Sequence, residues 1–154
     1  MKFFIKLNVI SILYAILLFV PIELMLNVYR ISRLTNWEIS QVNNLSVITL
    51  IVEIIGGTLL IFFLTKKWLV ERKAKFWTAI LWVPYWILFI ILFALLFPIT
   101  YGGDEPNSVS GLLVIGGLII YPFYILALNF IVDLTSDDEM VDAVKKDCAE
   151  LSLK

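Results

Sequence analysis

The sequence predicts an all-α, polytopic membrane protein: a four-transmembrane-helix bundle with a short amphipathic cytoplasmic C-terminal helix. Three observations predict this fold class. The 154 residues are 61% hydrophobic and only 16% charged, whereas soluble domains carry about a quarter charged residues. The apolar residues are concentrated in four runs, each long enough to cross a bilayer at ~1.5 Å rise per residue. The basic residues lie almost entirely on one side of those runs.

The predicted transmembrane domain covers residues 1–132, with spans at about 7–28, 45–64, 76–100 and 111–132. The first run follows Lys2 and Lys6, a charged start that also resembles a secretory signal peptide. That run is longer than the 7–15 apolar residues of a signal peptide and no small-x-small site ends it. We therefore predict a retained transmembrane helix, which Pro21 kinks in its outer half.

Two local patterns lie between and within the later spans. Thr35-Asn36-Trp37-Glu38 matches a capping box, which predicts a short interfacial helix beginning at Asn36. In the third span, aromatic residues recur at steps of three and four, so they share one helical face. This aromatic ridge, which is predicted to pack or to contact lipid, consists of Trp82, Trp86, Phe89, Phe93 and Phe97.

Charge predicts the orientation of the spans. Ten Lys and Arg residues fall at the two termini and in the loop after the second span, against two, Arg30 and Arg33, in the other loops. Because basic loops stay in the cytoplasm, both termini are predicted to be cytoplasmic. Ile, Lys and Asn usage favours a low-GC bacterium, so the predicted location is the inner (plasma) membrane, crossed several times.

The tail, residues 133–154, is predicted to be helical from 137. Ser136-Asp137-Asp138-Glu139 is a second capping signal, and apolar residues then recur at helical spacing on one face. That face consists of Met140, Val144, Cys148 and Leu151. It could dock on a partner or on the basic cytoplasmic loop of the protein itself, and the alternative is a solvated, partly frayed tail.

Glu53 is the leading candidate for a functional residue, because it lies near the centre of the second span. The favourable insertion free energy of the surrounding apolar residues outweighs the cost of inserting one carboxylate, roughly 3 kcal/mol. It does not explain why a carboxylate is present. Thr49, Glu53 and Gly57 share one helical face. One interpretation is an ion, proton or cationic-substrate site; the other is a protonated Glu53 that donates one hydrogen bond across a helix interface.

Glu23 is the second candidate. It lies in the predicted outer half of the first span, within about 10 Å of the depth of Glu53. The two carboxylates could share a proton or hold a cation if their helices are neighbours. Alternatively, Glu23 is hydrated near the interface or pairs with Arg30 or Arg33.

Two glycine pairs predict close helix packing. Gly56-Gly57 and Gly116-Gly117 fall at comparable depths in the second and fourth spans, so these spans are predicted to cross there, within one chain or between two. Three tyrosines could supply hydroxyls to Glu53 or to a polar ligand, namely Tyr14, Tyr121 and Tyr124.

The sequence argues against an enzyme. It has no histidine and one cysteine, which excludes bis-histidine haem and the usual zinc sites. No Walker A, Rossmann glycine, GxSxG, HExxH or paired CxxC pattern is present. We therefore predict no catalytic residues, metal or cofactor, and no nucleic-acid partner.

Two functions remain. The first is a non-enzymatic accessory, protective (immunity-like) or regulatory subunit that binds another membrane component. The second is a small oligomeric ion- or proton-coupled transporter or channel that uses Glu53. In both, the partners are the lipid bilayer and either another membrane protein or a second copy of this chain.

Overall fold

The described part of the protein is entirely helical. The structure, a computed structural model, describes the backbone of residues 2–69 and 73–152, and the side chains of residues 3–69, 74–137 and Val141. Five α-helices and two short 3-10 turns, the 73–77 turn and the 102–104 turn, follow one another. They are α1 (Lys2–Leu26), α2 (Val28–Thr35), α3 (Ile39–Leu69), the turn Lys73–Trp77, α4 (Thr78–Leu96), the turn Gly102–Asp104, and α5 (Ser108–Ser152).

Four helical stretches are long and apolar enough to cross a membrane. They are Phe3–Leu26, Ile39–Leu69, Ala74–Leu96 and Ser108–Asp137. The prediction of an all-helical chain with four long apolar helices is therefore confirmed, and it is consistent with a multi-pass membrane protein. Helix α3 begins six residues before the predicted span, because the polar stretch 39–44 continues the same helix.

Helix α1 is the centre of the bundle. About a third (33%) of the most apolar stretch of α1 is buried inside the protein, whereas only 6% of the corresponding stretch is buried in α3 and in α4. It packs most extensively against α4 and α3, and α5 contacts all three. Four residues of α1 are fully buried, and they recur at helical spacing on one side: Ile10, Ser11, Tyr14 and Ala15.

The core is concentrated in one half of the bundle. Its buried members fall in residues 7–15 of α1, 61–69 of α3 and 121–128 of α5, together with Trp82 of α4. These segments all lie towards the 73–77 turn. The other half of the bundle ends at α2 and the 102–104 turn, and we call it the α2 end. It contributes none of the buried members of this cluster.

The aromatic ridge packs inside the bundle along α4, except for Phe97, which lies just beyond α4 and is 50% exposed. The Trp82 ring meets Tyr121 of α5 edge-on with centroids 5.0 Å apart. Phe89 lies 5.6 Å from Phe19 of α1, and Phe93 lies 6.0 Å from the same ring. The ridge is therefore a packing surface that joins α4 to α1 and α5.

A polar cluster joins the 73–77 turn to α5. Lys75, whose side chain is 1% exposed, forms a salt bridge with Asp133. The Thr78 hydroxyl donates to the Lys75 carbonyl at 2.7 Å, and the Asn129 amide donates to Thr78 Oγ1 at 3.0 Å. These contacts fix the start of α4 against α5.

The predicted helix beginning at Asn36 is wrong, because a helix ends there. Helix α2 stops at Thr35, and Asn36 adopts a left-handed conformation with φ 56° and ψ 23°. Asparagine tolerates this region better than most residues. The Trp37 backbone N–H donates to Thr35 Oγ1 at 3.3 Å, so Thr35 closes α2 and the next helix starts at Ile39.

Helix α2 is held against the 102–104 turn by an ion pair. Arg33 Nε and Nη2 donate to the two oxygens of Asp104 at 2.9 and 2.6 Å. This pairing holds the pKa of the Asp104 carboxyl below its ordinary value and raises the pKa of Arg33. Arg30 Nη1 donates to the Phe97 carbonyl at 2.8 Å. The pairing of Glu23 with either arginine, one of the alternatives above, is therefore not formed.

Helix α5 runs without interruption into the tail. It extends from Ser108 to Ser152, and the Ser136 hydroxyl donates back to the Val132 carbonyl at 2.8 Å. Ser136 thus lies inside a helix and does not cap a new one. The predicted docking face lies outside the described side chains, and it comprises Met140, Val144, Cys148 and Leu151.

Candidate functional site

Glu53 lies in a small crevice between α1 and α3. The crevice has a volume of about 140 Å³, and its other lining residues are all apolar. They are Leu13, Ile16, Leu17, Gly57, Leu60 and Ile61. One carboxyl oxygen, Oε2, is buried and has no hydrogen-bond partner among the described residues. A lone carboxyl with an unpartnered oxygen is a costly arrangement in an apolar setting.

Gly57 brings α1 and α3 close together beside Glu53. A Cβ atom at Gly57 would lie 2.3 Å from Cδ1 of Leu17, which is closer than any ordinary contact. No heavy atom lies within 4 Å of the corresponding position at Gly56, Gly116 or Gly117. Within one chain, the second and fourth spans therefore do not cross at their glycine pairs, because Gly57 packs against α1 instead; a crossing between two chains stays a prediction.

Glu23 and Thr49 are not joined to Glu53. Glu23 Oε2 accepts a hydrogen bond from the Asn27 amide one turn along α1, at 3.0 Å. The Leu17–Gly57 contact sets the register of the two helices, so Glu53, one turn from Gly57, lies near the level of Pro21. Glu23 is then only ~3 Å further towards the α2 end than Glu53 is, measured along the helix axis. Among the described side chains, no hydrogen bond links Glu53 to Glu23 or to Thr49.

The three tyrosines come together on the core side of the bundle. The rings of Tyr121 and Tyr124 are stacked 5.6 Å apart, and Tyr14 meets both edge-on at 6.4 and 6.5 Å. The Tyr121 hydroxyl donates to the Tyr14 carbonyl at 2.6 Å, and that of Tyr124 is 2.6 Å from the Thr58 hydroxyl. Both hydroxyls are thus used to join helices, and neither is hydrogen-bonded to Glu53.

The half of the bundle nearer α2 contains a cavity between α1, α3 and α5. Its volume is about 500 Å³, and we call it the three-helix cavity. Nine of its eleven lining residues are apolar or glycine, and the other two are Asn43 and Ser46 of α3. The full lining is Leu18, Pro21, Ile22, Met25, Asn43, Ser46, Val47, Leu50, Leu113, Val114 and Gly117.

The cavity exists because α3 and α5 are joined only nearer the core. The Thr58–Tyr124 contact lies seven to eight residues beyond Leu50 and Gly117, or about 10 Å along each helix. Towards the α2 end the two helices leave a gap, and Gly117 has no side chain to fill it. Apolar residues line the gap because it lies at the depth of the predicted bilayer interior.

The α2 end of the cavity has an uncharged polar mouth. A second pocket, of about 80 Å³, shares Met25 and Asn43 with the three-helix cavity. It is lined by Met25, Val28, Tyr29, Ile39, Asn43, Pro106, Asn107 and Ser110. The Asn107 amide donates to the Tyr29 hydroxyl at 3.4 Å, and Asn107 Oδ1 accepts from Ser110. Hydrogen-bonding groups thus surround the route between the cavity and the α2 end.

Sequence reasoning singled out Glu53 and Gly117 but missed the cavity beside them. The small residues Ser46 and Gly117 are its only signal in the sequence, and neither reveals which helices diverge around it. Among the described side chains, those of residues 3–69, 74–137 and Val141, no three His, Cys, Asp or Glu lie together as a metal site would require. No protein-family model, curated protein or solved structure matches the chain.

Proposed function

We propose that the protein is a non-enzymatic integral membrane protein that acts by binding another membrane component, as an accessory, protective or regulatory subunit. The three-helix cavity is the observation that carries this proposal. Its volume of about 500 Å³ falls within the range of roughly 300–1,000 Å³ that ligand pockets occupy. Its apolar lining suits a component that already resides in the bilayer.

The charge distribution supports a placement of this cavity in the outer half of the inner membrane. Basic residues cluster at both termini and in the loop that includes Lys75, which favours the cytoplasm for that end. The α2 end then faces outwards, and the mouth beside Tyr29 and Asn107 lies at the outer interface. A component of the outer leaflet, or a partner helix that reaches it, would therefore meet the cavity from the side.

Three of the described carboxylates make separate structural contacts, which supports a non-enzymatic role. Glu23 is engaged by Asn27, and Asp104 by Arg33. Asp133 pairs with Lys75 at the opposite end of the bundle. General acid–base chemistry needs positioned groups within hydrogen-bond reach of one substrate atom, and these carboxylates serve separate elements.

Site-specific photo-crosslinking in cells tests the proposal. A photoreactive residue at Val114 faces the three-helix cavity, whereas one at Leu112, on the same helix and 70% exposed, faces away. We expect one defined adduct from Val114 that Leu112 does not form. Identical adducts from both positions, or none from Val114, would refute binding in the cavity.

The unpartnered oxygen of Glu53 favours a second candidate, an oligomeric ion- or proton-coupled transporter or channel. A carboxyl within a membrane span is by default a functional residue. Protein reconstituted in liposomes that contain a pH-sensitive dye should then show a proton or cation flux that E53Q abolishes. The matched variant E23Q keeps the flux if Glu53 alone titrates. Equal flux in wild type and E53Q would rule out this role.

A further inference from the structure

The dimensions of the three-helix cavity limit what can occupy it. Along α1 it extends from Leu18 to Met25, and along α3 from Asn43 to Leu50, seven residues or about 10 Å in each case. A hydrocarbon chain is narrower than an α-helix, which is about 10 Å across with its side chains, and it matches the apolar lining.

The mouth limits the polar part of such a ligand. Asn43 borders both pockets, and its amide makes no hydrogen bond with any other described residue, so it is free to bind a ligand oxygen. The Tyr29, Asn107 and Ser110 side chains add further donors and acceptors. Asparagine, serine and tyrosine side chains recognise hydroxyl, ester and sugar oxygens through neutral hydrogen bonds.

Charge at the mouth disfavours an anionic headgroup. None of the residues that line either pocket is charged. The two nearby cations are engaged elsewhere: Arg33 is paired with Asp104, and Arg30 donates to the Phe97 carbonyl while it lies over the Phe97 ring at 5.8 Å. Neither guanidinium is among the residues that line the mouth, whereas phosphate recognition usually depends on a cationic side chain that contacts the phosphate.

We infer that the three-helix cavity binds one hydrocarbon chain of a lipid whose headgroup is uncharged and bears hydroxyls, as in a diacylglycerol or a glycosyl diacylglycerol. The chain lies between α1, α3 and α5, and the headgroup binds Asn43 at the mouth. This inference rests on the proposed function and names the membrane component that it requires. The uncharged mouth distinguishes this site from general contact with annular lipid.

Two adjacent glycines provide a matched pair of variants. Gly117 lines the cavity and has no heavy atom within 4 Å of its Cβ position, so a leucine there would occupy the space for the chain. Gly116 has equal room but does not line the cavity. Both substitutions add the same side chain to neighbouring positions of α5, so their difference reports occupancy of the cavity.

Native mass spectrometry of the full chain in mild detergent tests the inference. The protein is titrated with a diglucosyl diacylglycerol and, separately, with a phosphatidylglycerol of identical chains. We expect a one-to-one complex with the glycolipid that survives activation, with binding at least about tenfold tighter than for the phosphatidylglycerol. G117L should weaken glycolipid binding at least about tenfold and G116L should not. N43L should reduce the preference between headgroups.

The outcomes separate the inference from the proposed function. Equal binding of both lipids, or equal binding by G117L and wild type, overturns the inference. If G117L does not fold, S46L fills the same cavity from α3 and is judged by the same criterion. A protein adduct at Val114 without a lipid complex overturns the inference and leaves the proposed function standing. Absence of both an adduct and a lipid complex overturns both.

Discussion

The contact between Gly57 and Leu17 gives the sharpest test of how α1 and α3 pack. In G57A, the new Cβ would lie 2.3 Å from Leu17 Cδ1, so that atom has to move by roughly 1 Å to reach the 3.4 Å of an ordinary contact. Such overpacking costs about 1–3 kcal/mol. Alanine also gains about 1 kcal/mol over glycine in a helix interior, which offsets part of that cost.

G56A is the matched control, because it has the same gain in helix propensity and no atom within 4 Å of its Cβ. We therefore expect G57A to be less stable than G56A by about 1–3 kcal/mol, measured as the difference in free energy of unfolding in detergent. The double variant L17A/G57A should recover most of this difference, because it removes the colliding atom. Equal stabilities of G56A and G57A, or no recovery in the double variant, would refute close packing at Gly57.

Three further predictions concern the charged groups. Arg33 lowers the pKa of Asp104, so their ion pair should stabilise the fold fully at pH values above 3.8, the ordinary carboxyl pKa. This stabilisation should be lost as the pH falls through the lowered pKa. Thermal unfolding measured against pH should show an acid-dependent loss of stability that D104N lacks. D133A should destabilise the protein by about 1–3 kcal/mol, and more than K75M does, because it removes the salt-bridge partner of a lysine that is 1% exposed whereas Asp133 is 35% exposed; chemical unfolding that ranks them in reverse would contradict this. E53L should stabilise the protein in detergent by about 1–3 kcal/mol, since it removes a buried oxygen without a partner; a loss of stability would show that Glu53 makes a hydrogen bond.

The four long helices could be predicted because the physical constraint on them is local. An apolar run of bilayer length satisfies its backbone hydrogen bonds only as a helix in lipid, so length and composition sufficed. Helix α2 could not be placed in the same way. Thr35 followed by Glu38 has the form of a helix start, but the left-handed Asn36 between them ends a helix. The Arg33–Asp104 pair that holds α2 in place joins residues 71 positions apart, so a local pattern does not reveal it.

The candidate site was predictable only in part, since it depends on which helices are neighbours. Gly57 was expected to permit close approach, and it does, but depth alone does not distinguish α1 from α5 as the partner. Lys75 contributed to the sequence argument as one of several basic loop residues, yet it is buried against Asp133. The three-helix cavity has no pattern of its own, because it arises where α3 and α5 separate and Gly117 leaves space.

The two halves of the bundle differ in a way that bears on function. Near the 73–77 turn, the rings of Trp82 and Tyr121 and the Lys75–Asp133 pair hold the helices together through specific contacts. Towards α2 the core cluster ends and the three-helix cavity begins. Gly117 leaves room there for a larger side chain, and in our proposal the hydrocarbon chain of a lipid fills that room.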